Sequence, residues 1–63
     1  MRADKKKIEI AMAKSCLNVG DLAKQAGMPR PTLNNVLAGK SVRPETLGLV
    51  AKGLQIDVTE ILA

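Results

Sequence analysis

The chain has 63 residues, of which 46% are apolar and none is Phe, Trp or Tyr. This length supports one small domain, residues 1–63, and a core without aromatic side chains favours packed helices over strands. Ten basic against six acidic residues leave a net charge of +4. Cys16 is the single cysteine, which excludes an internal disulfide. Histidine is absent, so a zinc site or a histidine-based catalytic centre would lack its usual groups.

The first predicted helix covers about residues 4–15. Asp4 is a candidate N-cap. The side chains that recur on one face at helical spacing are Ile8, Ala11 and Met12. We expect Ser15 or Cys16 to extend this stripe, with Cys16 as a small core residue in preference to a reactive thiol, and Ile10 to lie partly exposed beside it. The lysine run at residues 5–7 is more typical of a solvated helix face than of a DNA contact, and both interpretations stay open.

A second helix is predicted over residues 19–26. Asn18 is its candidate N-cap, with Asp21 at capping-box spacing, and Gly27 follows as a glycine suited to a left-handed C-terminal turn. Its inward face comprises Leu22, Ala23 and Ala26. Ala23 is expected to be small because a neighbouring helix crosses there.

The third helix is preceded by two prolines, Pro29 and Pro31, in the stretch GMPRPTLNNVLAG. Pro31 suits the first helical position, whereas a residue that precedes proline avoids the helical region. The sequence therefore predicts that Arg30 is the N-cap and that the helix begins at Pro31. It should end before Gly39, a second glycine suited to a left-handed C-terminal turn. Its buried stripe is Leu33, Val36 and Leu37.

Two further helices are predicted in the C-terminal third. Pro44 is placed to begin the fourth, and Gly53 is expected to help end it. Its inward stripe is Leu47, Val50, Ala51 and Leu54. Asp57 and Glu60 have capping-box spacing ahead of a short fifth helix over residues 58–62, which closes the core with Ile61 and Leu62. The sequence therefore predicts an all-α domain of five short helices.

Positive charge is confined to the first two thirds of the chain. Residues 1–14 and 15–43 each carry a net charge of +3, whereas residues 44–63 carry −2. This asymmetry suits a polyanion on one side of the domain, although an ordinary solubilising surface explains the charge about as well. No apolar run approaches the roughly 18 residues of a membrane-spanning helix, so the expected location is the cytoplasm.

The segment LNVGDLAKQAGMPRPTLNNVLAG, residues 17–39, has the order helix, glycine turn, helix, which predicts a helix-turn-helix over about residues 18–39. The chain resembles the Cro/C1-type (XRE) helix-turn-helix family over about residues 8–62. The matching residues are Leu17-Asn18, Leu22-Ala23, Ala26-Gly27, Thr32-Leu33, Gly39, Arg43-Pro44, Thr46-Leu47, Ala51, Leu54, Val58 and Ile61-Leu62. The resemblance implies a compact five-helix, lambda-repressor-like domain whose third helix enters the major groove.

The helical period places the polar side chains of the third helix opposite its buried stripe. The candidate base-reading residues are Arg30, Pro31, Thr32, Asn34 and Asn35. Arginine grips guanine with two hydrogen bonds and asparagine grips adenine likewise. The candidate contacts to the DNA backbone are Asn18, Lys40, Ser41 and Arg43. Where the family often has polar side chains, this chain has Val19, Pro29 and Pro31.

The expected function is sequence-specific regulation of transcription by a repressor or Cro-like protein. It would act as a homodimer on a pseudo-palindromic operator in double-stranded DNA, without a cofactor. The chain resembles a minimal Cro-like protein, an excised DNA-binding domain, or a small regulator from a phage or other mobile element. The alternative is a helix-turn-helix module that binds a protein partner, such as an antirepressor or antitoxin. An enzyme is not expected, since no catalytic constellation stands out.

Overall fold

The chain folds into four α-helices and a final 3₁₀ turn. The structure, a computed structural model, describes all 63 residues. The helices are α1 (Lys5–Lys14), α2 (Val19–Ala26), α3 (Arg30–Leu37) and α4 (Pro44–Leu54), and the 3₁₀ turn is Val58–Glu60. The all-α class is therefore confirmed. None of the helices combines the length and the apolar content that crossing a membrane requires.

The start of each element agrees with the capping residues that the sequence indicated, except at α3. The Asp4 carboxylate accepts from the Lys7 N–H at 3.1 Å, and the Asn18 side chain accepts from the Asp21 N–H at 2.8 Å. Pro44 is the first residue of α4. These caps satisfy amide hydrogens that have no partner inside the first turn.

Helix α3 begins at Arg30, one residue earlier than predicted, so the assignment of Arg30 as N-cap is wrong. Pro29 is the N-cap, with φ −64° and ψ 150°, and its carbonyl accepts from the Leu33 N–H at 3.2 Å. That hydrogen bond closes the first turn around Arg30. Pro31 sterically disfavours a helical Arg30, yet Arg30 is helical, and Pro31 itself loses no hydrogen bond because it lies in the first turn, where no amide hydrogen is needed.

All four helices end in the same hydrogen-bonding pattern, the Schellman motif. After each helix, the residue that follows the left-handed residue donates to the carbonyl five residues earlier, as in Leu17 to Met12 (2.9 Å) and Lys40 to Asn35 (3.2 Å). The residues in the left-handed conformation are Cys16 (φ 56°), Gly27 (φ 69°), Gly39 (φ 77°) and Gln55 (φ 59°). The predicted roles of the two glycines are confirmed.

The prediction that Cys16 lies in the core is wrong, because its side chain is exposed. The left-handed turn at Cys16 returns the chain so that Leu17 packs against the core instead. Gly53 does not end α4 either: it is buried within the helix, and Gln55 makes the left-handed turn.

Replacing Cys16 by glycine is expected to raise the free energy of unfolding by about 0.5–1 kcal/mol. A left-handed conformation costs an L-residue about 1–2 kcal/mol, and the greater freedom of glycine in the unfolded chain offsets part of that gain. Urea unfolding followed by circular dichroism measures the change. Cys16→Ala is the control, since it removes the thiol and keeps the strain; equal stability of the two variants would contradict the prediction.

The core lies where the four helices and the C-terminal segment meet. The side chains with no or almost no exposure are Ile8, Leu22, Leu33, Val36, Leu47, Val50 and Ile61. The predicted exposure of Ile10 is confirmed at 49%. Helices α2 and α4 approach closely at Gly53, where an added Cβ would lie 2.9 Å from the Ala26 nitrogen. The two helices can therefore pack this closely only because Gly53 and Ala26 are small.

The predicted fifth helix over residues 58–62 is a single 3₁₀ turn. The capping box is present: Asp57 N–H donates to Glu60 at 3.1 Å, and two hydrogen bonds from Thr59 to the Asp57 carboxylate hold its pKa below the ordinary value. The helix does not continue because Leu62 forms an antiparallel bridge with Ala3. Extended pairing and helical hydrogen bonding are incompatible at the same residues.

The first residues of the chain connect this C-terminal segment with the loop after α3. Asp4 N–H donates to the Ile61 carbonyl at 2.8 Å, and Val42 N–H donates to the Met1 carbonyl at 2.7 Å. Ala3 between them is buried. The loop at residues 39–43 is therefore held by long-range backbone hydrogen bonds.

Candidate nucleic-acid interface

Helices α2 and α3 are joined by the short turn at residues 27–29. Gly27 reverses the chain with its positive φ, and Met28 packs partly buried against the core. Leu22 from α2 and Leu33 from α3 have no exposed surface, so the two helices share one packed interface. The relative orientation of the pair is therefore determined by core packing.

The outer face of α3 is exposed where the sequence placed the base-reading residues. Exposed side chains are Arg30, Pro31, Asn34 and Asn35, while Thr32 is half-buried. Leu33 and Val36 on the opposite face are fully buried, with Leu37 half-buried beside them. Two neighbouring asparagines, which are poor helix formers, thus occupy a face with no packing requirement.

The four candidate contacts to the DNA backbone are also exposed: Asn18, Lys40, Ser41 and Arg43. The side-chain amide oxygen Oδ1 of Asn18 already caps α2, which leaves the side-chain NH₂ group to donate to a phosphate. Arg43 is the N-cap residue of α4 and makes no capping hydrogen bond with its side chain. A cation at a helix N-terminus is unfavourable on its own and becomes favourable beside an anion.

The lysine run at the start of α1 separates into different environments. Lys5 and Glu9 line a surface groove together with Asn34 of α3 and with Ala38, which directly follows α3, so Lys5 lies beside the reading face. Lys7 points elsewhere and donates to the Leu62 carbonyl at 3.0 Å. Sequence reasoning did not separate these lysines, because only the packing of α1 against α3 brings Lys5 near Asn34.

The Arg30 side chain runs back from α3 over the first turn of α2. Its guanidinium lies against Gly20, close enough that a Cβ there would be 2.5 Å from Nη2. Nothing in the sequence pattern indicated this contact. No group of three or more His, Cys, Asp and Glu side chains is arranged to hold a metal ion.

Two packed helices joined by a glycine turn, the second with an exposed polar face and a basic loop after it, define a helix-turn-helix domain. A family model described as Helix-turn-helix matches residues 17–61. The chain belongs to this family, the Cro/C1-type (XRE) helix-turn-helix proteins, whose domain is a DNA-binding regulatory one and not an enzymatic one. Searches of curated proteins and of solved structures found no match.

Proposed function

We propose that this protein is a sequence-specific transcriptional regulator of the repressor or Cro-like type that inserts α3 into the major groove. The observation that carries the proposal is the division of α3 into two faces. Leu33 and Val36 are completely buried, whereas Asn34 and Asn35 between them are exposed on a helix eight residues long. A helix of this width fits the major groove of B-DNA.

The exposed face of α3 offers hydrogen-bonding groups suited to base edges. Asn34 and Asn35 each present an amide that pairs with adenine, and Arg30 presents a guanidinium that pairs with guanine. Pro31 and the methyl group of Thr32 offer apolar contact to a thymine methyl group. Because Thr32 is half-buried, its side chain has less surface available for contact with DNA than its exposed neighbours have.

Groups on two sides of α3 are placed to bind the sugar–phosphate backbone. Asn18 precedes α2, and Lys40, Ser41 and Arg43 follow α3 in a loop that hydrogen bonds between Met1 and Val42 help to hold. Such contacts set the orientation of the domain without reading sequence. Lys5 at the edge of α3 adds a further cation to this surface.

A homodimer on a pseudo-palindromic operator fits a domain of this size. One α3 of eight residues reaches only a few base pairs, and two copies on half-sites about one helical turn apart double the contacts. In the alternative function, as an antirepressor or antitoxin, the domain would bind a protein partner, and that contact would not need the basic loop.

Selection of duplexes from a random-sequence pool at low salt tests the proposal. We expect recovery of a pseudo-palindromic site, whose binding falls steeply with added salt and is weakened by Arg30→Ala. If the protein recovers no duplex and instead captures a partner protein tightly, the regulator proposal fails in favour of the protein-binding module.

Arg43→Ala is expected to weaken binding to all duplexes by a similar factor. It is also expected to make the fall of log affinity with log salt less steep, by about one unit of slope per subunit. The reason is that a backbone contact releases counterions without discriminating between bases. Lys52→Ala, which removes an exposed cation from α4 outside the candidate interface, is the matched control and should leave both quantities nearly unchanged. A change of preferred sequence in Arg43→Ala would contradict the backbone assignment.

A further inference from the structure

Gly20 is the second residue of α2, and the space that a side chain there would occupy holds the Arg30 guanidinium. A Cβ built on Gly20 would lie 2.5 Å from Nη2, 3.3 Å from Cζ and 3.4 Å from Nε of Arg30. Three of the four heavy atoms of the guanidinium therefore lie within contact distance of a side chain at position 20. The contact joins the first turn of α2 to the first residue of α3.

The other four glycines have different surroundings. Gly27 and Gly39 have positive φ and open space, Gly53 meets the Ala26 backbone, and Gly48 has nothing within 4 Å. Gly20 has no positive φ that would require glycine. The nearest atoms to an added Cβ belong instead to Arg30, so the absence of a side chain at Gly20 leaves room for the Arg30 guanidinium.

We propose that Gly20 is a positioning residue for DNA recognition: its missing side chain lets the Arg30 guanidinium lie against α2 and so determines where Arg30 meets DNA. The proposal rests on the proposed function. None of the side-chain hydrogen bonds within the chain uses the guanidinium, so its N–H donors are open to a guanine or a phosphate.

A seated arginine binds with a smaller loss of freedom than a mobile one. An exposed arginine samples many rotamers, and ordering them opposes association. Contact with Gly20 restricts those rotamers before DNA arrives. A methyl group at position 20 displaces the guanidinium at little cost to the fold, because only the end of a flexible side chain has to move.

Gly20→Ala and Gly48→Ala form a matched pair, since each replaces a helical glycine by alanine and only the first meets Arg30. Both variants are expected to melt at or above the temperature of the unmodified protein. On the duplex that the unmodified protein selects, Gly20→Ala is expected to lose about tenfold in affinity, comparable to the weaker end of a bidentate contact, and Gly48→Ala nothing.

A double-mutant cycle with Arg30→Ala isolates the contact. With Arg30 removed, Gly20→Ala is expected to have no further effect on affinity or on sequence preference. An equal loss from Gly20→Ala in both backgrounds would overturn the proposal, as would no loss in either.

A measurement without DNA separates this inference from the function on which it rests. In the unmodified protein, nuclear Overhauser effects are expected between the Arg30 side chain and the Gly20 α-protons, and they should disappear in Gly20→Ala. Their absence in the unmodified protein would refute the seating of Arg30 itself. Failure to bind any duplex, with the Overhauser effects present, would refute the DNA function and leave Arg30 seated without a role in recognition, which also overturns the proposal.

Discussion

Gly53→Ala is expected to lower the free energy of unfolding by about 2 kcal/mol, within the range of 1–3 kcal/mol typical of an overpacked core. The added Cβ would lie 2.9 Å from the Ala26 nitrogen and 3.1 Å from its Cα. Both atoms belong to the α2 backbone, so a side-chain rotation cannot relieve the clash. The two helices would have to separate, and Leu22 and Val50 would lose part of their packing.

The same substitution at Gly48 is expected to act in the opposite direction. Gly48 is exposed in the middle of α4 with nothing within 4 Å of an added Cβ. Alanine there restricts the unfolded chain and favours the helix, which raises the free energy of unfolding by about 0.5–1 kcal/mol. Gly48→Ala and Gly53→Ala, five residues apart in one helix, are thus expected to change the free energy of unfolding in opposite directions.

Urea unfolding followed by far-ultraviolet circular dichroism measures both variants, because the chain has no Trp or Tyr for fluorescence. A domain of this size has only a few kcal/mol of stability, so Gly53→Ala should shift the midpoint strongly. If Gly53→Ala is as stable as Gly48→Ala, the close approach of α2 and α4 is wrong.

Asn35→Ala is expected to weaken operator binding by about 2–6 kcal/mol. A bidentate contact between asparagine and adenine contributes about 1–3 kcal/mol of discrimination, and the proposed symmetric dimer would make it once in each half-site. Asn35 is exposed and makes no hydrogen bond through its side chain within the domain, so its amide is available to a base. Titration of the selected duplex by fluorescence anisotropy gives the affinity.

Two comparisons exclude a general effect on folding. Asn35→Ala should leave stability equal or slightly higher, because alanine is the better helix former. Gln25→Ala removes an exposed amide from α2 outside the candidate interface and should leave binding unchanged. On duplexes altered at the contacted base pair, the unmodified protein should lose affinity and Asn35→Ala should not. A loss that is equal for every duplex would instead assign Asn35 to the DNA backbone.

Local features of the fold follow closely from the sequence. The capping box of Asn18 and Asp21, the left-handed Gly27 and the first residue of α4 at Pro44 all lie as predicted. Each depends on hydrogen bonds or dihedral angles within about four residues. The buried stripes were equally predictable, because helical periodicity determines which side chains share a face once a helix forms.

Features that join separate elements required the tertiary structure. Cys16 adopts a left-handed turn because Leu17 has to reach the core, and α3 begins at Arg30 because the Pro29 carbonyl closes its first turn. The final helix stops after one turn because Leu62 pairs with Ala3 across the domain. No local propensity encodes such contacts.

By itself the sequence determined the all-α class, the helix-turn-helix and the polar residues on the outer face of its second helix, since these follow from spacing along the chain. Tertiary packing decided where those polar groups lie in space. It placed Lys5 beside Asn34, brought Gly53 of α4 against the Ala26 backbone of α2, and placed the Arg30 guanidinium against Gly20. These arrangements depend on the distances between helices, which residue spacing within a helix does not specify.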